Sequence, residues 1–209
     1  VGGTPPYSYT WSSLQNTDII TNVGAGPYTV FVTDSNACTS FATVHVINPD
    51  SITASIQVSD YNGYSVSCDG LSDGSATAIV SGGNGIDFNT LLWNTLDDVP
   101  TLNNLSVNTY SYTIEDINGC IDSAQVTLTS PAAMQLTLAA DNLLCYGDSN
   151  ATAFIDAFYN GISPFNYLWD NGQNNSTATN LSNGTYTLTI TDTNNCTVSS
   201  IVDVSQPDS

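Results

Sequence analysis

The residues of this sequence that could carry acid–base, nucleophilic or metal chemistry are 18 aspartates, Glu115, a single histidine (His45) and five cysteines. His45 stands out of phase with Val44 and Val46 on a period-two stretch, so it should face solvent. It has no nucleophile and orienting group to serve. The adjacent pair Asp97-Asp98 could act as acid and base, as paired carboxylates do in glycosidases, but it lies in a polar loop and reads as solvation. Asp34, Asp116 and Asp192 recur at matched positions, which points to turn chemistry, because a turn must repeat and a catalytic site need not. Calcium prefers clustered oxygen ligands. Its candidates are Asp69 and Asp73 in Asp69-Gly70-Leu71-Ser72-Asp73-Gly74, with Asp148 aligned on Asp73; neither segment fits the twelve-residue loop pattern. No Cys-x-x-Cys pair is present to suggest zinc.

The cysteines have a regular spacing. Cys68 and Cys120 are 52 residues apart, and Cys145 and Cys196 are 51 apart. This predicts one disulfide per repeat, Cys68–Cys120 and Cys145–Cys196, in an oxidising extracellular setting. Cys38 is then expected to pair with a cysteine about 14 residues upstream of Val1, which makes the chain a segment of something longer.

Composition removes several function classes. There is no lysine and no arginine, the formal charge is −19, and only 9% of residues are charged. Phosphate backbones need cations, so nucleic acid is excluded as a partner. Polybasic attachment to an anionic membrane is excluded likewise. No apolar run reaches the roughly 18 residues of a membrane span, so direct insertion is not expected. With 41% hydrophobic and 10% aromatic residues, the chain can still bury cores.

Those residues are positioned by a repeated unit. Trp11, Trp93 and Trp169 are each followed 27 residues later by a cysteine: Cys38, Cys120 and Cys196. Ten residues before each of these stands Tyr28, Tyr110 or Tyr186; four before stands the recurring aspartate; eleven after stands Pro49, Pro131 or Pro207. Within a unit the pattern alternates with period two, as in Tyr186, Leu188 and Ile190 among threonines. Asp34-Ser35-Asn36-Ala37 and its counterparts mark tight hairpins. Phe165, Tyr167 and Trp169 form a strand echoed by Tyr7, Tyr9 and Trp11, while the second copy has Asn89 where an aromatic is expected. Ala76, Ala78 and Val80 are matched to Ala151, Ala153 and Ile155. The second copy carries a longer loop at Asp97-Asp98-Val99-Pro100.

These signals predict an all-β chain of tandem immunoglobulin-like β-sandwich repeats: 1–50, lacking its opening strands, then 51–132 and 133–209. The three tryptophans and three tyrosines are the expected core anchors, the tyrosines as tyrosine corners. Linkers such as Pro131-Ala132-Ala133 are too short for free tumbling.

The chain resembles the repeats of SprB-type gliding-motility adhesins of Bacteroidota. The residues that carry the resemblance are Ser72-Asp73-Gly74-Ser75-Ala76-Thr77-Ala78 after Cys68, then Gly82-Gly83 and Trp93. In the third copy they are Trp169-Asp170-Asn171-Gly172, Leu181 to Asp192, and Asn195-Cys196. The resemblance implies long, repetitive proteins exported by type IX secretion, displayed outside the outer membrane, and serving adhesion, gliding or surface filaments. Asp50-Ser51-Ile52 and Asp122-Ser123-Ala124 fit the O-glycosylation pattern of that bacterial group, with Ser51 and Ser123 as acceptors.

The expected function is therefore a non-enzymatic extracellular stalk, with neighbouring repeats, copies of itself, or an external surface or polysaccharide as partners. One alternative is a filament subunit that packs or exchanges strands and buries outward residues such as Phe31, Phe41, Ile121 and Ile201. A second is a glycan-binding module gripping through loops near Trp93 or Tyr159. No cofactor is expected beyond candidate calcium.

Overall fold

A computed structural model describes residues 2–85 and 90–208. Asn89 and the outermost residues fall outside that range. The described residues form fifteen β-strands. No helix among them is long and apolar enough to cross a membrane.

The chain divides into two compact units. One comprises Val1–Ser51 with Gly82–Asn84; the other comprises Ile52–Ser81 with Gly85–Ser209. In the first, β1 (Ser8–Trp11), β2 (Gly26–Thr33) and β3 (Thr39–Val46) make one antiparallel sheet. No second sheet faces it among the described residues, so inward-parity residues stay wet: Trp11, Tyr28 and Val30 are only half-buried, and Val44 is 52% exposed.

The second unit contains two complete sandwiches. In the second repeat, β4 (Thr53–Val58), β5 (Gly74–Ser81) and β7 (Thr101–Leu105) form one sheet. The other sheet holds β6 (Leu92–Trp93), β8 (Thr109–Glu115) and β9 (Ile121–Thr127). In the third repeat the sheets are β10 (Gln135–Asp141), β11 (Ala151–Tyr159) and β13 (Thr177–Leu181), then β12 (Asn166–Trp169), β14 (Gly184–Thr191) and β15 (Thr197–Val204). Strands one, two and four pair in one sheet, and three, five and six in the other. This is the strand distribution of an immunoglobulin-like sandwich. The predicted fold class is correct.

Each sandwich has its own core. Val66, Leu91, Trp93, Tyr112, Ile114 and Leu128 fill the first, and Trp169, Leu181, Leu188, Ile190 and Val204 the second. Tyr112 spans the second repeat: its hydroxyl donates to Ser55 O (3.1 Å) and Ile79 O (2.9 Å) on the facing sheet. Burial pushes its phenol above the ordinary range.

Registers correct the sequence alignment. Gly74 lies opposite Leu105, and Ala151 opposite Leu181, so Gly74 corresponds to Ala151 and Ala76 to Ala153. The expected match of Ala76 with Ala151 was two residues out, a slip that preserves the buried face and leaves the pattern unchanged. Size agrees with this match: a Cβ on Gly74 would come 2.9 Å from Leu128 Cδ2, whereas in the third repeat Ala151 shares its core with the smaller Val204.

The extra length of the second repeat does not lie at Asp97-Asp98-Val99-Pro100. Trp93 N donates to Asp97 O and Trp93 Nε1 to Val99 O, while Trp169 donates to Gln173 O and Asn175 O at identical spacing. The insertion lies between β4 and β5. Cys68 lies ten positions after Val58, but Cys145 only five after Ala140. The added residues build a tight turn in which Tyr61 and Tyr64 pair across Asn62 (φ 55°) and Gly63 (φ 92°).

The turn after each tryptophan needs a left-handed residue. Gly172 supplies it at no steric cost, but the same position holds Leu14 (φ 67°) and Leu96 (φ 71°). Leu96 is 81% exposed, so its side chain contributes little packing. Leu96→Gly is expected to stabilise the second repeat by about 0.5–1 kcal/mol, the left-handed penalty less the entropy of glycine. A rise in its thermal midpoint by calorimetry checks this.

Candidate functional site

The third and second repeats meet at a joint built from two loops. Strand direction dictates which loops these are. β4 ends and β5 begins at one end of its sandwich, where Val58 pairs with Ala76. β7 runs toward that same end, where Leu105 meets Gly74, so the β8–β9 hairpin lies at the opposite end. The chain leaves β9 at the β4–β5 loop end and enters the third repeat there.

The hairpins share one design. In β14–β15, Asp192 Oδ1 accepts from Asn194 N and Cys196 N, both at 2.9 Å, and Asn195 takes the left-handed conformation. Asp116 does the same for Asn118 and Cys120, with Gly119 left-handed, and Asp34 for Asn36 and Cys38, with Ala37 left-handed. The recurring aspartates are therefore turn clamps. Donation from Thr4 N, then from Cys38 N, holds the Asp34 carboxyl below its ordinary value. Its contribution to stability is complete above the unfolded value of about 3.9 and is lost as pH falls through the lower native value. Asp192 is 2% exposed and its Oδ2 also accepts from Ile162 N. Asp192→Ala strands three backbone donors and is expected to cost about 3 kcal/mol, whereas Asp192→Asn keeps an acceptor and costs less. Urea denaturation of the two variants distinguishes them.

The β14–β15 hairpin docks on the β4–β5 loop. Asn194 Nδ2 donates to Tyr61 O (3.1 Å) and Ser67 O (3.3 Å), and Asn62 Nδ2 donates to Asn194 Oδ1. Beside them Cys68 and Cys196 form a disulfide with Cα atoms 5.6 Å apart. Asp73 braces the loop: Oδ1 accepts from Ser67 N (3.0 Å) and Oδ2 from the Ser67 hydroxyl. Pro131, Ala132, Met134 and Gly161 close a neighbouring cleft of about 310 Å³.

This overturns the expected pairing of Cys68 with Cys120 and of Cys145 with Cys196. The two cysteines of one repeat lie in loops at opposite ends of their sandwich. Cys68 reaches the hairpin of the next repeat instead. Cys38, Cys120 and Cys145 are free and exposed. The upstream partner expected for Cys38 rested on the same within-repeat pattern. The Asp116 carboxylate pushes the Cys120 thiol upward.

The core anchors differ by repeat. Trp93 and Trp169 are each 1% exposed, whereas Trp11 is half-buried. All three indoles donate to a carbonyl six residues on: Thr17, Val99 and Asn175. Tyr28, Tyr110 and Tyr186 each donate to the carbonyl four residues before, on Gly24, Ser106 and Ser182, which is the bond of a tyrosine corner.

The calcium candidates are dispersed. Asp73 serves Ser67, and Asp69 lines the joint cleft. Asp148 corresponds to Leu71, since both donate their N–H to the loop cysteine's carbonyl; Asn150 takes the place of Asp73. Among the described residues no group of three or more His, Cys, Asp or Glu is placed to hold a metal. Ser51 and Ser123 are exposed. The joint loop was missed from sequence; the signal that could have found it was the Asn62-Gly63 turn between β4 and β5.

The third repeat, with its loop cysteine, paired sheets and tryptophan turn, carries a likeness to a known repeat family. Residues 137–174 match the SprB repeat. The matched span opens in β10, crosses the Cys145 loop and β11, and ends past the left-handed turn at Gly172. The rest of the third repeat adds β13 to the first sheet and β14 and β15 to the second. The chain also aligns with solved immunoglobulin arrays. For the N-terminal four Ig domains of Dscam1 isoform 6.44, identity is 9%, the TM-score 0.31, and coverage 96% of this chain and 64% of that one. For the N-terminal eight Ig domains of Down Syndrome Cell Adhesion Molecule isoform 1.30.30 the values are 12%, 0.32, 96% and 32%. For Dpr2 Ig1-Ig2 in complex with DIP-Theta Ig1-Ig3 they are 10%, 0.26, 96% and 89%. The chain thus spans less than two thirds of the two longer arrays. A search of curated proteins finds no match.

Proposed function

We propose that this chain is a non-enzymatic, extracellular segment of a bacterial surface adhesin or fibre, in which tandem SprB-type sandwiches act as a stiff stalk for adhesion or gliding. The observation that carries this reading is the joint between the second and third repeats. A disulfide, an asparagine with three hydrogen-bond partners and a three-residue linker restrain the two sandwiches together. A catalytic module has no use for such a joint, whereas a stalk that transmits force over distance depends on it. The disulfide fits an oxidising exterior, reached by type IX secretion in proteins of the SprB kind. The negative charge keeps neighbouring stalks apart.

The alternative, an ordered filament, draws support from outward apolar residues. Phe31 and Phe41 pair at 5.9 Å while 48% and 69% exposed, and Ile121 and Ile201 are 65% and 67% exposed. Electron microscopy of the native surface material decides between them. Thin beaded threads, lost together with adhesion when the repeats are deleted, are expected. Thick helical filaments with a fixed repeat would replace the stalk by the filament.

A further inference from the structure

The outer face of β2 and β3 carries a pair that its sister repeats lack. Phe31 and Phe41 stand opposite each other in register, with ring centroids 5.9 Å apart and planes inclined by 38°. They point away from the side on which Tyr28 and Val30 are half-buried, and they are 48% and 69% exposed. Val30, Tyr112 and Leu188 each lie opposite the tryptophan of their repeat. The same outward pair is therefore Thr113 and Ser123 in the second repeat, and Thr189 and Ser199 in the third. In the third the two hydroxyls share a hydrogen bond of 2.8 Å. A solvated hydroxyl pair thus satisfies this position of the fold, and the phenyl rings answer no demand of the sheet. Their surroundings are hydroxyl-rich. Thr10 on β1 lies opposite Phe31, and Thr29 and Thr43 next along the strands share a hydrogen bond of 2.8 Å. None of the three strands contains an acidic residue, although the chain carries a formal charge of −19.

We infer that this face docks a neutral polysaccharide of the external surface, with Phe31 and Phe41 stacking on its pyranose rings and the flanking threonines bonding its hydroxyls. The inference rests on the stalk reading and assigns it an adhesive contact. Charge narrows the occupant. A chain without lysine or arginine offers no counter-charge to an acidic polysaccharide, a nucleic acid or an anionic lipid. A basic partner finds no carboxylate on these strands. Area narrows it further. At ~200 Å² for a whole phenylalanine side chain, the exposed parts of the two rings present about 230 Å². Each partner in a standard protein interface contributes about 800 Å², so the pair is too small to hold a second copy. A sugar chain needs less. One face of a pyranose ring presents C–H bonds to the negative face of an aromatic ring. Its rim hydroxyls donate and accept, and a threonine hydroxyl already in one hydrogen bond keeps a free lone pair for them. The two phenyl rings brace each other, so little side-chain freedom is lost when the sugar lands.

The test is native electrophoresis of the full chain through gels containing xyloglucan, galactomannan or hydroxyethylcellulose, with alginate as the acidic comparison. The chain's own charge drives it, so binding reads directly as retardation. The expected result is retardation by at least one neutral polymer and free migration through alginate. Phe31→Ala, Phe41→Ala and the leucine replacements at both positions each weaken the retardation at least about tenfold. Phe31→Tyr and Phe41→Tyr keep it, because a tyrosine ring still stacks. Thermal midpoints of all these variants stay at the wild-type value, since both side chains are exposed. Free migration through every neutral polymer would overturn the inference, and so would retardation that survives in the leucine variants or is matched by alginate. Self-association in sedimentation that Phe31→Ala abolishes would replace the polysaccharide by a second copy. Free migration leaves the stalk reading standing, because thread shape in microscopy tests that separately.

Discussion

Replacing Cys196 by serine is expected to split one unfolding transition of the second and third repeats into two. The bond encloses a loop with a sequence separation of 128 residues, and it adds a covalent cross-link to the backbone that already connects two separate cores. Closing a loop of this size restricts the unfolded chain by about 4–5 kcal/mol on the loop-entropy account. Calorimetry of the oxidised wild type should show that loss in Cys196→Ser, and again in Cys68→Ser, with no further loss in the double variant. Cys120→Ser and Cys145→Ser should leave stability unchanged. Destabilisation by Cys120→Ser with the Cys68–Cys120 bond found by peptide mapping would restore the within-repeat pairing and refute the joint.

In the Cys196→Ser background, where the two repeats unfold separately, Trp93→Ala should unfold the second repeat and spare the third. The Trp93 ring is buried between the two sheets, packs on Tyr112 with centroids 5.1 Å apart, and donates to Val99 O. Truncation leaves a cavity and a carbonyl without its donor, costing about 3–5 kcal/mol. That is a large share of what a sandwich of this size can hold. Near-ultraviolet circular dichroism should lose the second repeat's signal, while the buried emission of Trp169 persists because its core shares no residue with the first. Trp11→Ala should cost far less, since its ring is already half in water. Equal losses at Trp11 and Trp93 would show that the first repeat has a closed core after all.

What could be read from sequence was whatever repeats with local cause. The Asp-x-Asn-x-Cys hairpin, the tryptophan strand and the tyrosine four residues from its acceptor are short-range devices, so spacing within one copy exposes them. The disulfide was misread because spacing along the chain was taken for proximity in space. Yet the information was present: a cysteine before the second strand and one after the fifth lie at opposite ends of any antiparallel sandwich of this strand order. The alanine register failed for a different reason. A two-residue slip keeps every side chain on its own face, and only the partners Leu105 and Leu181 separate the two alignments. Asn194 could not be singled out, because one asparagine among three equivalent turns gains its partners only from the neighbouring repeat.

The cross-joint disulfide also sets how far the chain can be drawn out under tension. Pulled from its ends, a tandem array ordinarily yields all of its hidden contour as each sandwich opens. Here the segment from Cys68 to Cys196 is bypassed by a single bond, so roughly 430 Å of extended length, at ~3.4 Å per residue, stays locked while that bond is oxidised. Extensibility then becomes a property of the redox state of the surroundings. In an oxidising exterior the two sandwiches behave as a link of nearly fixed length, and a reductant converts the same polypeptide into a tether several times longer.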